Sequence, residues 1–399
     1  MIKRFIYIDQ ITPFINKPFI KILTGIRRSG KSTIMLMLID ILKEMKVTED
    51  QIFHTKFDSL EYENLTTKEL LNLLKSKLSN NKKTYLLLDE IQEIPGWERA
   101  INELYDNKEY DVDIYLTGSN SRMLSSEIST YLTGRYVSFE IFPLSFAEYL
   151  EFKEIEQDFS KRFFDYIQIG GFPAIHANNM EKQNAYSAVS DIYNTIIFTD
   201  IVKKNNIRNV DQLERIVKFL FDNIGNTFSA KSIADYLKSQ NRKIDVETVY
   251  NYLSKLEGAF IIYRCSRYDL QGKEILKTQE KFYLADMALK YCLTGYNDSS
   301  ISGALENIVY LELRRRGYNV YVGKYKDIEI DFVGEKQGEK IYIQVAKEIN
   351  KIQTEKREYE NLLLIKDNYP KFVLTVNDLS SGNYEGIMSQ HIADWLLEK

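Results

Sequence analysis

The stretch "LTGIRRSGKST", Leu23 to Thr33, constrains this chain more than any other part of it. It follows the apolar "FIKI" of Phe19 to Ile22 and matches G-x-x-x-x-G-K-[ST] through Gly25, Gly30, Lys31 and Ser32, with a helical pattern after it. A strand, a glycine loop and a helix start in that order make an anion cradle. The glycines let backbone N–H groups curl round a phosphate, and the helix points its positive end at it. Gly25, Ile26, Arg27, Arg28, Ser29, Gly30, Lys31, Ser32 and Thr33 then form a nucleotide-binding loop. Lys31 is then expected to bridge the β- and γ-phosphate oxygens of ATP, and the Ser32 hydroxyl to hold Mg²⁺.

The surrounding pattern fits an α/β class. "FIKILT", "QIFHTKFD", "TYLLLD", "VDIYLTG" and "YVSFEIF" read as short strands, and "KSTIMLMLIDILKEM" and "TKELLNLLKSKLS" between them have helical apolar spacing. Alternation of this kind predicts a mostly parallel, doubly wound sheet. "TYLLLDEIQEI" then carries a buried strand to Asp89 at its carboxyl end, where ligands of open α/β sheets collect. Asp89 is expected to hold Mg²⁺ through water, and Glu90 to orient or deprotonate the water that attacks the γ-phosphate. A third strand ends in "TGSN", which makes Ser119 or Asn120 a candidate reader of the γ-phosphate; ordinary turn chemistry is the competing reading. Arg135, in "LTGRY", is a candidate arginine finger within its own or a neighbouring subunit, or else an arginine capping a strand. Arg27 and Arg28 are expected to be exposed or paired rather than catalytic.

Composition narrows the remaining classes. A chain of 399 residues with 44% hydrophobic positions can bury two to four cores. The net charge of −4 provides no global basic field, so any nucleic-acid contact needs a local patch. No apolar run approaches the ~18 residues of a membrane span, and Asp9 interrupts the only leader-like stretch, so a cytoplasmic protein without a membrane partner is expected. Cys265 and Cys292 form no CxxC pair and His54, His176 and His391 lie far apart, which suggests neither a disulfide framework nor a zinc site.

"GIRRSGKST", "LLLDEIQ", "LTGSNSRML", "LTGRY", "FPLSFAEYL" and "GGFP" together resemble the AAA-type ATPases of bacteria and archaea that carry a C-terminal domain of unknown function. The resemblance covers nearly the whole chain. It implies an AAA-like ATPase core over residues 1–147, with an extra strand between those of the two nucleotide motifs. A helical segment over 148–206, a winged helix over 207–300 and a degenerate restriction-endonuclease-like α/β domain over 301–399 would follow. Target and oligomeric state stay open.

The residues of the later segments can be read directly. "TFSAKSIADYLKSQNRKIDVETVYNYLSKLEGAFIIYRCSRYD" has helix-turn-helix order, with Val246, Val249, Tyr250 and Leu253 on one face of the second helix. Lys238, Arg242, Lys243, Arg264 and Arg267 would support DNA there, whereas Glu247 and Glu257 oppose phosphate and suit a protein partner. Further on, Glu306, Glu329 and Asp331 resemble the carboxylates of a Mg²⁺ nuclease core. Gln344 and Ala346 stand where an acid and a lysine are needed, and Lys347 falls on the opposite face of its strand, so little or no DNA cleavage is expected. The leading reading is Mg²⁺-dependent ATP hydrolysis that drives a conformational change. A nucleotide-gated binding module with negligible turnover and an ATP-powered DNA-processing nuclease are the alternatives.

Overall fold

The computed structural model describes residues 2–79, 82–124, 132, 134–347, 359–376 and 382–398. They form two compact units, residues 1–142 with Gly258–Phe260, and residues 143–257 with 261–399.

Five parallel strands build the first unit: β1 (Ile20–Thr24), β2 (Ile52–Lys56), β3 (Thr84–Asp89), β4 (Val112–Gly118) and β5 (Tyr136–Glu140), in the order β2-β3-β4-β1-β5. β4 sits between β1 and β3, so a strand separates the two that carry the nucleotide motifs, as expected of an AAA-like core. Every residue of β1 and β3 is buried, because helices cover both faces. On one face Tyr7 and Ile11 of α1 (Phe5–Ile11) and Ile34, Leu38 and Leu42 of α2 (Lys31–Glu44) pack with Leu23, Leu87 and Ile141. On the other, Leu70 and Leu74 of α3 (Thr67–Ser76) and Trp97, Ile101 and Leu104 of α4 (Trp97–Asp106) pack with Ile22, Leu86, Leu88 and Leu116. A reciprocal Thr66–Glu69 capping box starts α3. The parallel register brings Thr24 beside Gly118, and Leu88 beside Leu116, so loops after β1, β3 and β4 leave one edge of the sheet.

The second unit begins with helices Phe146–Lys153, Phe159–Ile169, Pro173–Ala177 and Lys182–Thr195. The "IGGFPAI" turn between them is locked from two sides. Gly170 has φ +77°, and a Cβ there would stand 1.9 Å from Asp286 Oδ1. The buried Asp286 carboxylate accepts the Gly171 N–H at 2.6 Å and the Ala288 N–H at 2.8 Å, while His176 Nε2 lies 2.7 Å from the Gly170 carbonyl.

Helices Val210–Asp222, Ala230–Ser239 and Val246–Gly258 follow, then β6 (Ile262–Asp269) and β7 (Glu274–Leu284). The expected apolar stripe on the last of these helices is displaced. Val249, Tyr252, Leu253 and Leu256 are buried, whereas Val246 and Tyr250 are 37% and 47% exposed, because the i, i+3, i+4, i+7 run starts at Val249. β8 (Asn319–Tyr325), β9 (Ile328–Lys336), β10 (Glu339–Ala346), β11 (Lys371–Thr375), β12 (Gly382–Tyr384) and β13 (Ile387–His391) join β6 and β7 in one eight-stranded sheet, ordered β12-β13-β11-β10-β9-β8-β6-β7. β6 pairs with β8, so strands before and after residue 300 share this one sheet. Helix Ile301–Arg315 packs on this sheet. Among the described residues no helix is long and apolar enough to cross a membrane.

Candidate functional site

The loop after β1 is shaped by one close approach. Gly25 has φ +140°, and a Cβ there would meet the Ile141 carbonyl oxygen at 2.2 Å, so no other residue lets the chain pass. Lys31 opens α2 and is 3% exposed, with Nζ donating to the Gly25 carbonyl at 3.0 Å and the Ile26 carbonyl at 3.1 Å. Its ammonium is thereby held over the loop. Ser29 is buried, Arg27, Ser32 and Thr33 are half-buried, and Arg28 is exposed.

Asp89 ends β3 fully buried. The Thr117 hydroxyl donates to its Oδ1, and Oδ2 has no hydrogen-bond partner, with the Lys56 ammonium 3.8 Å away. A buried carboxylate oxygen left open in this way fits Mg²⁺ held through water, since a buried acceptor needs a donor from somewhere. Glu90 follows with φ +53°, a left-handed conformation that turns its side chain away from the strand direction. Its Oε2 accepts from Ser119 Oγ at 3.1 Å and from the Gln92 amide, and its N–H donates to Thr117 Oγ1 at 3.0 Å. Burial alone would raise this carboxyl. The charges of Lys31 and Arg27, with the Gln92 and Ser119 hydrogen bonds, outweigh burial and hold Glu90 below the ordinary carboxylate value, ionised at neutral pH.

Lys31, Arg27, Glu90 and Ser119 are thus brought together, with Asp89 joined through Thr117. Of the two residues proposed to read a γ-phosphate, Ser119 is engaged by Glu90, while half-buried Asn120 accepts the Met123 N–H on its carbonyl at 3.1 Å. Arg135 bonds the Asn102 side chain and, at 2.7 and 2.8 Å, both oxygens of Asp106, so among the described residues its side-chain hydrogen-bond partners lie on α4. Three contributors escape the motif: Thr117, Gln92 and Arg4, whose guanidinium reaches the Ser29 carbonyl. Thr117 carried a signal, because a small polar residue next to Leu116 in β4 falls beside Asp89 once β3 and β4 pair in parallel.

In the second unit the residues read for DNA are partly spent. Arg264 makes a two-pronged bond to Glu257 at 2.7 and 3.0 Å and reaches Glu280 at 3.0 Å. Arg267 bonds Gln279, and Arg242 lies 3.9 Å from Asp211. The three acids of the C-terminal region do meet, around a lysine that sequence reading did not select. Lys281 of β7 is 3% exposed, and its ammonium lies 3.0 Å from Glu306, 3.0 Å from Glu329 and 3.5 Å from Asp331. Tyr283 also donates to Glu306 at 3.0 Å. Gln344 accepts the Asp331 N–H at 3.1 Å, so its amide serves strand pairing; Ala346 is buried and Lys347 exposed. Burial raises the Glu306 carboxyl; it would lower Lys281, but the surrounding carboxylates hold that ammonium above its ordinary value. Among the described residues no group of three or more acids, histidines or cysteines is arranged to hold a metal ion.

The inserted strand, the glycine loop with Lys31 and the acid pair ending β3 define an AAA-type P-loop domain, and the family model described as "AAA domain" matches residues 17–150. A second, "Domain of unknown function (DUF8612)", matches residues 160–300. The chain belongs to one family with an uncharacterized protein of Haemophilus influenzae, 36% identical over 100% of this chain and 99% of that one. The uncharacterized protein MJ1544 of Methanocaldococcus jannaschii is 32% identical over 90% of this chain and 82% of its own. Among solved structures, the Walker-type ATPase PABY2304 of Pyrococcus abyssi is similar at 15% identity and a TM-score of 0.49, covering 74% of this chain and 96% of that one.

Proposed function

We propose that the chain binds ATP with Mg²⁺ and hydrolyses it, and that turnover drives a conformational change of the second unit. The observation that carries this is Glu90: buried, ionised, fixed by Ser119 and Gln92, and facing the charge of Lys31. Residues of the loop from Gly25 to Thr33 bind the triphosphate, with Lys31 on the β- and γ-oxygens. Ser32 and Asp89 would hold Mg²⁺, which when bound neutralises charge on the phosphate oxygens. Glu90 orients a water and accepts its proton as the water oxygen bonds the γ-phosphorus and the bond to the bridging oxygen breaks, giving ADP and phosphate. Asn120 remains the candidate for reading the γ-phosphate, and the ties of Arg135 to α4 favour a strand-capping role within this subunit.

For the second unit we infer a winged helix that contacts protein rather than DNA, because Arg264 is neutralised by Glu257 and Glu280 while Val246 and Tyr250 are exposed. The nuclease-like region is read as non-cleaving, its carboxylates neutralised by Lys281. Calorimetry and steady-state phosphate release on the parent, Lys31→Ala and Glu90→Gln test the ATPase reading. Binding that disappears in Lys31→Ala, and turnover that disappears in Glu90→Gln with binding retained, support it. Binding without turnover in the parent selects the nucleotide-gated switch, and unchanged turnover in Glu90→Gln removes Glu90 from the mechanism.

A further inference from the structure

Arg4, just before α1, is 1% exposed. Its guanidinium forks between two chain segments, Nη1 donating to the Ser29 carbonyl at 2.7 Å and Nη2 to the Phe142 carbonyl at 3.0 Å. The Tyr7 ring centre lies 4.6 Å from the guanidinium carbon, and the Tyr7 hydroxyl accepts the N–H of Phe142 at 3.0 Å. Two side chains one helical turn apart therefore hold both polar groups of the Phe142 backbone, and one of them also reaches the phosphate loop. The far wall of that loop is the same segment: Ile141 donates its N–H to the Thr24 carbonyl at 2.7 Å, and its own carbonyl is what excludes a side chain at Gly25.

We propose that Arg4 is a positioning residue of the nucleotide site, setting the Ser29–Gly30 peptide so that the Gly30 N–H is presented to a nucleoside-triphosphate phosphate. A loop that aims its N–H groups at an anion turns carbonyls back into the protein, where each needs a donor. Ser29 is fully buried, so water is not at hand for its carbonyl, and Arg4 supplies the donor. The bond is charge-assisted, and drawing electron density toward the Ser29 oxygen makes the N–H of the same peptide unit, that of Gly30, a stronger donor. The positive charge also lies behind the loop on the side away from solvent. A lysine ammonium lacks the planar fork needed to serve Ser29 and Phe142 together.

This rests on the reading that the loop holds a nucleotide, and the experiment separates the two. ATP affinity and steady-state kinetics are measured on the full chain for the parent, Arg4→Met, Arg4→Lys and Lys31→Ala, at a temperature where circular dichroism finds each folded. Arg4→Met is expected to raise the KM for ATP on the order of tenfold with kcat nearly unchanged, the pattern of lost phosphate binding. Arg4→Lys should fall between it and the parent. A role confined to anchoring α1 would lower the melting midpoint of Arg4→Met and leave KM alone, and that result overturns the proposal. If Arg4→Met does not fold, Arg4→Lys decides: a raised KM supports the proposal and a KM equal to the parent's overturns it. A parent that binds ATP no better than Lys31→Ala overturns the nucleotide reading and this proposal with it. Parent binding with unchanged KM in a folded Arg4→Met overturns the proposal alone.

Discussion

Replacing Asp286 with asparagine should make the second unit more sensitive to acid than the parent is. Burial pushes Asp286 up from 3.8 to about 6, against the Gly171 and Ala288 N–H bonds and the charge of Arg315. Burial also pushes His176, on the other side of the same glycine turn, down from 6.5 to about 4. Between pH 3.8 and about 6 the native chain keeps a proton on Asp286 that the unfolded chain has released, so this contribution is full in acid and is lost as pH rises. His176 works in the opposite sense: between 6.5 and about 4 the unfolded chain binds a proton that the native chain refuses, so stability is lost as pH falls. At ~1.36 kcal/mol for each pH unit, either window amounts to ~3 kcal/mol, and where they overlap the slopes cancel. Relative to the parent at each pH, Asp286→Asn should therefore lose ~3 kcal/mol between pH 6.5 and 4, and His176→Gln should gain a similar amount, since the other titrating groups are common to all three chains. Urea midpoints followed by Trp395, 1% exposed, in a Trp97→Phe background report on the second unit, because these are the chain's two tryptophans. Two variants displaced from the parent in the same direction with pH, or an Asp286→Asn chain that keeps the parent's own pH dependence, would refute opposed titrations.

Glu90→Gln should lower phosphate release by ~10²–10⁴-fold with ATP binding intact by calorimetry, whereas Lys31→Ala should lose the binding itself. Lys281→Met leaves three carboxylates facing one another and should cost ~3–5 kcal/mol at pH 8, read from melting curves, with a smaller loss at pH 6 where Glu306, raised by burial, takes a proton. The parent, incubated with plasmid, Mg²⁺ or Mn²⁺ and ATP, should leave the plasmid intact; cleavage that vanishes in Asp331→Ala would put the nuclease reading first. Replacing Lys238, Arg242 and Lys243 together by Ala should leave gel-shift behaviour across a salt series unchanged, and a flatter salt dependence would restore DNA as the partner.

What the sequence made legible is what consecutive residues do by themselves. Gly25 through Ser32 build an anion cradle within one turn of chain, and Asp89 and Glu90 sit at the end of a strand whose burial is written in its composition, so loop, acid pair and sheet class could be read directly. Side chains recruited across the fold could not. Thr117 acts because β3 and β4 lie in parallel register, and Arg4 because α1 folds back over Ser29. Ala346 leaves β10 without a lysine, yet Lys281 arrives at the same acids from β7. Arg264 is taken up by Glu257 and Glu280, one seven residues before it and the other on the neighbouring strand. Each case is a long-range pairing of charges or hydrogen bonds, for which local periodicity carries no information.

The bond ladder between β6 and β8 has a consequence for how this protein can be taken apart. Arg267, Tyr268 and Asp269 pair with Val322, Gly323 and Lys324, so a cut at residue 300 would strip a neighbour from both strands at once. Each fragment would then present a raw strand edge, the template on which chains aggregate. Dissecting the protein for crystallisation, partner screening or domain transplantation should therefore keep β6 through β13 in one piece, and a frameshift or proteolytic nick after residue 300 should remove the function of both modules rather than of one.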